Sequence, residues 1–341
     1  MRQWLLGNNV DELKELLKTL GEPKYRADQI VNHIYRGLAT SYDEMTSLSK
    51  SLRTKLEAAA GEFPLRLTET LVAKDETEKL LLSLSDGDSI EMALIPSPDR
   101  MTFCLSTQVG CPVGCHFCAS GAAGLARNLT AAEMLAELLI GSSLHGALPD
   151  NVVFMGIGEG LLNTRELFHA LEFMTAPEYF GMSPRRITVS TSGIVPGIDK
   201  LAALKREFTL AISLHAPDDA TRAKLIPDTI RYPIVEIMAA ADRYREQAGR
   251  MVTLEYTLLD GINDSPAAAR AMATLAKRHH AKINLIPFNV AKEGFRRPSA
   301  EKIKRFCAEL ESTGAHFTLR RERGAESSAA CGQLRLRRNN A

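Results

Sequence analysis

The sequence of this protein is poor in aromatic residues and lacks long apolar runs. Its 341 residues include a single tryptophan, and aromatic residues make up 6% of the chain. No apolar run approaches the ~18 residues that a membrane-spanning helix needs. Residues 1–7 contain no hydrophobic segment typical of secretion signals before the acidic Asp11 and Glu12. We therefore expect a cytoplasmic protein that does not associate with membranes.

The composition excludes several classes of protein. Hydrophobic residues make up 45% of the chain and charged residues 24%, which is typical of globular domains rather than collagens, coiled coils or disordered chains. A chain of this length buries roughly three quarters of its unfolded surface, so its core requires no disulfide bonds. The six cysteines therefore indicate metal binding or redox chemistry in a reducing compartment.

The charge of the chain is nearly balanced but unevenly distributed. The formal net charge is +1, yet from Phe295 onward eleven lysine and arginine residues stand against five acidic ones. Such a basic end is either a solvated surface or a binding site for a polyanion such as nucleic acid. Cys331 lies between two groups of three arginines at this end: Arg320, Arg321 and Arg323 before it, and Arg335, Arg337 and Arg338 after it.

Residues 1–96 are predicted to form a small helical accessory domain followed by a β-hairpin. Two strands, 80–84 and 89–95, flank a turn at Asp86-Gly87-Asp88 and predict the hairpin. The domain boundary is placed at Pro96, where the Pro-Ser-Pro sequence begins. Three segments before the hairpin carry apolar residues at the 3.6-residue helical period: 10–20, 27–35 and 49–60.

Beyond Pro96, short apolar strands alternate six times with amphipathic helices, which predicts a parallel sheet. Six units are too few for a closed eight-stranded barrel. The expected fold class is therefore α/β, with a partial (βα)6 barrel or an open sheet over residues 97–320 and function at the carboxyl ends of its strands. Residues 321–341 form a basic C-terminal tail. The predicted strands are 101–107, 152–156, 186–190, 208–213, 251–258 and 283–288.

Two of the intervening helices carry clear start signals. Thr130 is followed three residues later by Glu133, which is the pattern of a capping box. Ser265 precedes Pro266, a residue type that is favoured at the first position of a helix. Helices are therefore expected to begin at these two places.

Three cysteines lie close together on the loop after the first of the six strands. Cys111, Cys115 and Cys118 are spaced C-x3-C-x2-C. A structural zinc site needs four ligands, haem attachment needs a histidine where Ala119 stands, and a thioredoxin-type motif needs only two cysteines. An iron-sulfur cluster with one open iron fits best. The alternatives are three thiols in a flexible loop, or zinc with His116 as a further ligand.

Four further motifs follow the three-cysteine loop in order along the chain. With that loop they resemble the radical S-adenosylmethionine (SAM) enzymes, and among these the RlmN/Cfr family of RNA adenine methyltransferases. The resemblance runs over nearly the whole chain and implies the partial (βα)6 radical SAM barrel. The motifs are Met155-Gly-Ile-Gly-Glu-Gly-Leu-Leu-Asn163, Ser190-Thr-Ser-Gly193, Ser213-Leu-His-Ala-Pro217 and Ala329-Ala-Cys-Gly-Gln-Leu334.

The resemblance implies two cofactors, a 4Fe–4S cluster and SAM. In radical SAM enzymes three cysteines bind the cluster, which here would be Cys111, Cys115 and Cys118. The amine and carboxylate of SAM chelate the remaining iron, and one electron from the cluster cleaves the sulfonium to give a 5′-deoxyadenosyl radical. An electron donor such as flavodoxin is therefore expected as a partner.

The resemblance also assigns a set of residues to SAM. Gly158 and Glu159 would face its amino group, and the serine and asparagine positions would hold its carboxylate and ribose. The set follows the ends of predicted strands, where a parallel sheet places functional residues. Without the resemblance, the serines would be strand-end hydroxyls and His215 a packed core residue. The full set is Gly158, Glu159, Ser190, Ser213, Leu214, His215 and Asn289.

Two more cysteines and a glutamate are implied to carry the chemistry. In the resembled enzymes one SAM methylates the tail cysteine, here Cys331, and the radical from a second SAM abstracts hydrogen from that methyl group. The methylene radical adds to adenine, and the other cysteine, here Cys104, releases the adduct by forming a disulfide. Glu91 matches the acidic residue that accepts the ring proton, and its alternative is a solvent-facing strand residue. Cys307 lies on an apolar helical stripe and is expected in the core.

The leading hypothesis is a monomeric enzyme that methylates carbon 2 of an adenine in the peptidyl-transferase loop of 23S rRNA, with tRNA as a second substrate. The same residues would serve carbon 8. Two hypotheses of other classes are a non-catalytic metal-cluster protein that binds RNA and a radical SAM enzyme that acts on a small molecule. The first leaves Cys104 and Cys331 without a role, and the second leaves the helical unit and the basic tail without one.

Overall fold

The computed structural model describes residues 4–122, 124–227, 232–289 and 294–320. The predicted basic tail, with Cys331, lies outside the described residues. Within them, no helix is both long enough and apolar enough to cross a membrane. One main hydrophobic core joins the N-terminal helices, the hairpin and the parallel strands.

The three helices predicted at the start of the chain are present. α1 spans Val10–Thr19, α2 spans Arg26–Val31 and α3 spans Lys50–Ala60. The chain continues from α2 into a π-helical turn, Asn32–Arg36, where the sequence predicted a continuous α-helix. The prediction of a helical N-terminal unit is therefore confirmed, with one change of helix type.

Twelve strands are described, and ten of them form one mixed sheet. Their bounds are β1 Leu65–Val72, β2 Glu78–Leu84, β3 Ser89–Ser97, β4 Arg100–Cys104, β5 Gln108–Gly110, β6 Leu125–Asn128, β7 Asn151–Phe154, β8 Ile187–Thr191, β9 Thr209–Ser213, β10 Thr253–Leu258, β11 Lys282–Pro287 and β12 Phe317–Leu319. The sheet order is β1-β2-β3-β4-β7-β8-β9-β10-β11-β12, and β5 pairs only with β6. Pairing is antiparallel from β1 to β4 and parallel from β4 to β12.

Helices connect the parallel strands, as the sequence predicted. The six predicted strands correspond to β4, β7, β8, β9, β10 and β11, so the expected partial (βα)6 arrangement is confirmed. The last helix leads to a seventh parallel strand, β12, which the sequence analysis missed because it has only three residues and is half exposed. The helices are α4 Ala131–His145, α5 Thr164–Thr175, α6 Val195–Ala203, α7 Asp219–Ala223, α8 Ile234–Ala248, α9 Pro266–Arg278 and α10 Ala300–Ser312.

The two faces of the sheet differ in what they contact. Leu94 on β3 and Phe103 on β4 are paired, and both pack against Gly141 of helix α4. Because side chains alternate along a strand, the neighbouring pair Ala93 and Cys104 points away from α4. We call the face that carries this pair the inner face.

Polar residues line the inner face across the parallel strands. Cys104 is paired with Val153 on β7, and Val153 is in turn paired with a residue of β8. The inner face therefore continues across these three strands. Further along the sheet, Ser213 pairs with Glu255, and Glu255 pairs with Asn284. An inner face with these side chains can contact a polar ligand, whereas the outer face is covered by helices.

The N-terminal helical unit docks on the core through a group of aromatic rings. The ring of Tyr35 lies 6.0 Å from Phe173, 5.0 Å from Tyr179 and 4.9 Å from Phe180, measured between centroids. Its hydroxyl oxygen accepts a hydrogen bond from the Gly7 N–H at 3.2 Å. Aromatic pairs at these separations stabilise an interface beyond simple burial. The helical unit is therefore packed firmly against α5 and the segment that follows it.

Strand β1 forms one edge of the ten-stranded sheet. Its residues alternate between more and less exposed positions along the strand. The register with β2 shifts between Leu67 and Glu69, which indicates a β-bulge. At the bulge the Thr68 hydroxyl donates a hydrogen bond to the Leu81 carbonyl oxygen at 3.0 Å. This strand was not predicted from the sequence, because the polar run Thr68-Glu69-Thr70 interrupts the alternation of apolar and polar residues that indicates a strand.

Candidate active site

The two-stranded sheet closes the base of the three-cysteine loop. β5 ends at Gly110 and β6 begins at Leu125, so the loop begins and ends at adjacent positions. The Cys111 N–H donates a hydrogen bond to the Gly124 carbonyl oxygen at 3.0 Å. Gly110 has a positive φ of 79°, and a side chain there would overlap the same carbonyl oxygen. The close approach of these strands therefore requires glycine and fixes where the cysteines begin.

The three cysteines pack against a second, smaller apolar cluster. Burial raises the pKa of the Cys111 thiol to about 12 and raises the pKa of Cys115 well above its ordinary value. These thiols would therefore become thiolates only with a cation to compensate their charge. The apolar cluster consists of Val113, Phe117, Leu225, Ile226, Leu259 and Phe288.

His116 contacts the protein backbone rather than the thiols. Its side chain is exposed, and its backbone N–H donates a hydrogen bond to the Leu225 carbonyl oxygen at 2.9 Å. Its ring Nδ1 lies 3.2 Å from the Lys224 carbonyl oxygen. Across the described ranges, no three His, Cys, Asp or Glu side chains converge on a position for a single metal ion. Cysteines that bind different irons of a cluster do not need to converge on one point.

A cavity of about 970 Å³, open to solvent, lies beside the three cysteines. Six of the seven residues predicted for SAM line it, and the seventh, Leu214, is fully buried beside it. Arg320, the first of the predicted basic arginines, also reaches the cavity wall. The structure thus brings together the cysteine loop and four strand ends that are far apart in the sequence. The six lining residues are Gly158, Glu159, Ser190, Ser213, His215 and Asn289.

Glu159 is held rigidly in the cavity wall. One carboxylate oxygen accepts a hydrogen bond from the Ser192 N–H at 2.6 Å and the other from the Leu161 N–H at 3.1 Å. Its own N–H donates to the Gln108 side-chain oxygen at 2.8 Å. Burial raises the pKa of Glu159, and the backbone donors partly oppose this shift by stabilising the carboxylate. Gly158 precedes it with φ of 111°, so the turn that aims Glu159 requires glycine.

His215 is a buried, neutral histidine at the cavity. Its Nδ1 accepts a hydrogen bond from the Thr257 N–H at 3.1 Å, and its ring meets the edge of Phe117 at 5.0 Å between centroids. Burial, with a smaller contribution from the Arg222 charge, lowers its pKa to about 3. The ring therefore stays uncharged at physiological pH and connects strand β9 to the cysteine loop.

Asn289 presents an atom that suits a bound ligand. Its side chain is buried, and its Oδ1 has no hydrogen-bond partner among the described residues. Buried polar atoms are normally paired, because an unpaired one loses the free energy of hydration. An acceptor of this kind in a cavity wall fits the hydroxyl and ammonium donors of SAM, so the donor set of the cavity fits this cofactor.

Glu255 is a cavity residue that the sequence analysis missed. It is only 4% exposed, and its Oε2 accepts a hydrogen bond from the Asn284 side-chain amide at 2.7 Å. Asn284 in turn accepts from the Thr318 hydroxyl at 3.1 Å. Burial raises the pKa of Glu255 to about 7. A single acidic residue in the otherwise uncharged strand 253–258 is the signal that could have identified it.

Cys104 and Glu91 lie at the hairpin side of the same inner face. Cys104 is the last residue of β4 and is buried, and Glu91 is 1% exposed rather than facing solvent. The Ser106 hydroxyl donates to the Glu91 carbonyl oxygen at 3.0 Å and accepts from the Ile157 N–H at 2.9 Å. These bonds tie β3 to the rim of the cavity. Cys307 was predicted in the core, whereas the structure places it half-buried on α10, where it packs against the edge of the main core.

Comparison with known proteins gives the affiliation of the chain. A family described as the ribosomal RNA large subunit methyltransferase N-terminal domain matches residues 4–61, and the radical SAM superfamily matches residues 105–271. A probable dual-specificity RNA methyltransferase RlmN of Rhodopirellula baltica is 43% identical, with 98% of this chain and 91% of that protein covered. The chain belongs to the RlmN family. Membership makes it a radical SAM RNA methyltransferase with a 4Fe–4S cluster and SAM as cofactors.

Two further relatives agree with this affiliation to the RlmN family. The dual-specificity RNA methyltransferase RlmN of Marinobacter nauticus is 40% identical, with 97% of this chain and 92% of that protein covered. The crystal structure of a radical SAM methyltransferase from Sphaerobacter thermophilus superposes with a TM-score of 0.93 at 44% identity, over 98% of this chain and 99% of that one. The predicted family, enzyme class and cofactors are therefore confirmed.

Proposed function

We propose that this enzyme methylates carbon 2 of an adenine in the peptidyl-transferase loop of 23S rRNA, and an adenine of tRNA, through a methylated Cys331. The observation that carries the proposal is that Glu91 and Cys104 share the inner face of the sheet with the cavity residues Ser213 and Glu255. In this proposal a proton acceptor and a thiol lie on the same face of the sheet as the residues of the cavity for SAM. A small-molecule radical enzyme would not need this second thiol.

Within this proposal the cavity residues bind the cofactors. Cys111, Cys115 and Cys118 ligate the cluster, Glu159 receives the amino group of SAM, and Asn289 receives a donor from its ribose or ammonium. When bound, the cluster and SAM supply the methyl group and the one-electron chemistry that activates it. The serines at the ends of β8 and β9 complete the contacts to SAM, with Leu214 and His215 shaping the wall.

The remaining chemistry belongs to side chains of the protein. Cys331 carries the one-carbon unit to the ring as a radical, and the odd electron of the resulting adduct would return to the oxidised cluster. Glu91 then accepts the ring proton as a carboxylate, which restores the aromatic ring. The Cys104 thiolate then attacks the sulfur of Cys331, so that a sulfur–sulfur bond forms and the carbon–sulfur bond breaks. The electron pair of the broken bond goes to the carbon, which takes up a proton and becomes the methyl group of the product.

Three parts of the chain have separate roles in this proposal. Residues 1–96 and the basic tail, 321–341, contact RNA, and residues 97–320 hold the cofactors. The enzyme works as a monomer, and a small electron carrier such as flavodoxin reduces the cluster.

The decisive experiment replaces Cys104 with alanine. Without this thiol the bond between Cys331 and the adenine cannot be broken, so the protein should remain covalently attached to RNA. After nuclease digestion, mass spectrometry should find a nucleotide on the peptide that contains Cys331, and nucleoside analysis of product from the unmodified enzyme should give 2-methyladenosine.

Cys307→Ala is the matched control, since it removes a thiol that lies away from the inner face, and it should turn over normally. Normal turnover by Cys104→Ala would refute the two-cysteine mechanism. Detection of 8-methyladenosine would keep the mechanism and overturn the assignment to carbon 2.

A further inference from the structure

Lys79 and Glu91 form an ion pair in the interior of the protein. The Lys79 Nζ lies 3.3 Å from Glu91 Oε1, and the two side chains are 6% and 1% exposed. Removing both charges from water costs more free energy than most such pairs recover. A hairpin that served only stability would be expected to place apolar side chains here, so the pair indicates a functional requirement.

The strand register places this pair next to Cys104. Lys79 on β2 is paired with Ala93 on β3, and Ala93 is paired with Cys104 on β4. Glu91 lies two residues before Ala93 and therefore on the same face. Lys79, Glu91 and Cys104 thus surround Ala93 on the inner face, on the side of the sheet opposite helix α4.

We propose that Lys79 is a positioning residue for Glu91, whose carboxylate it holds in a fixed direction for proton transfer from the adenine ring. This inference rests on the proposed function. Once the odd electron of the adduct has returned to the oxidised cluster, the ring proton passes to a carboxylate oxygen of Glu91, and the electron pair of the C–H bond restores the aromatic ring. A carboxylate oxygen must point at the ring carbon to accept this proton, and the contact with Lys79 Nζ fixes where the Glu91 carboxylate points.

The test compares Lys79→Met with Lys79→Arg in the full-length enzyme reconstituted with its cluster. Lys79→Met keeps an unbranched side chain that is one atom shorter and removes its charge, so product formation should fall at least ten-fold. Methylation of Cys331 precedes the action of Glu91 and should stay within two-fold of the wild type. The covalent protein–RNA adduct should accumulate, as it should in Glu91→Gln.

Two further measurements distinguish positioning from a general structural effect. With deuterium on the reacting carbon of the adenine, the isotope effect on product formation should be larger for Lys79→Met than for the wild type, because proton transfer has become the slow step. Lys79→Arg keeps the charge and should restore activity to within about three-fold. Arg243→Met breaks the exposed pair with Asp199 between the outer helices, where the Nε–Oδ1 distance is 2.8 Å, and should change nothing.

The outcomes separate this inference from the proposed function. Lys79→Met with normal turnover, or with loss of Cys331 methylation together with a lowered melting temperature, would overturn the role of Lys79. If Lys79→Met does not fold, Lys79→Gln is measured in its place, and normal turnover there would overturn it equally. Failure of the proposed function would instead give two results. The wild-type enzyme would form no methyladenosine, and Cys104→Ala would form no adduct with RNA.

Discussion

Glu255 shows how a single residue in the cavity wall makes stability depend on pH. Burial raises its pKa from the ordinary 4.5 to about 7. Between these two values the folded protein holds a proton that the unfolded chain has lost. The stability contributed by this group is therefore full below the unfolded pKa and is lost as the pH rises through the folded pKa.

We expect Glu255→Gln to become progressively more stable than the wild type as the pH rises. The difference in unfolding free energy should grow by on the order of 3 kcal/mol between pH about 4.5 and about 7.5, because each unit of pKa shift corresponds to ~1.4 kcal/mol. Urea unfolding of the cluster-free, reduced proteins across this range measures it. Glu246→Gln on the exposed side of α8 is the matched control. A difference that does not change with pH would contradict the pKa assigned to Glu255.

Among single functional residues, those that belong to sequence motifs could be identified from the sequence. Residues whose position depends on how the strands pair could not. The cysteine spacing and the strand-end positions located the cavity, and six of the seven residues predicted for SAM line it. Glu255 and Lys79 lie within strands, where a charged residue usually indicates a solvent-facing position. Their burial follows from which strands are adjacent, and that cannot be read from one strand alone.

Helix α4 contacts both the N-terminal segment, at Gly7, and the outer face of the sheet, at Phe103 and Leu94. Most of its residues are buried, and on the sheet side Gly141 allows the ring of Phe103 to approach. A β-carbon at Gly141 would lie 2.7 Å from Cε2 of that ring and 3.1 Å from a methyl carbon of Leu94. The glycine is therefore required by packing, despite its poor helix propensity.

We expect Gly141→Ala to destabilise the protein by roughly 1–3 kcal/mol, because overpacking outweighs the ~1 kcal/mol gained in helix propensity. Chemical unfolding measures the loss. Adding Phe103→Leu to this variant should recover part of it, since a smaller side chain makes room for the new methyl group. If Gly141→Ala alone stabilised the protein, the prediction would be wrong, because the ring of Phe103 would then be free to move away from the new methyl group.

Elements with strong local signals were predicted well from the sequence. α4 begins with a capping box in which Thr130 and Glu133 bond reciprocally, and α9 begins at Ser265 followed by Pro266, as expected. The short strands β5, β6 and β12 were missed. They have three or four residues each and form because a partner strand lies alongside them, so no local pattern marks them.

The whole molecule carries its positive charge at one end of the chain, and RNA binding should reflect this. We expect reversal of charge at Arg335, Arg337 and Arg338 to weaken RNA binding and to lower the slope of log affinity against log salt by about one for each lost phosphate contact. Binding measured across a salt series tests this. Arg243→Glu on the outer helices is the control. Unchanged affinity and slope in the tail variant would remove the tail from the RNA interface.

The bulge in β1 affects how separate copies of the enzyme behave toward one another. A regular outermost strand would offer a straight row of unpaired N–H and C=O groups to a second copy, and sheets could then join end to end into a fibre. The shifted register between Leu67 and Glu69 bends this row, and the charged side chains of Arg66 and Glu69 lie along it. A sheet that is ten strands wide can therefore exist in a crowded cell without acting as a template for polymerisation.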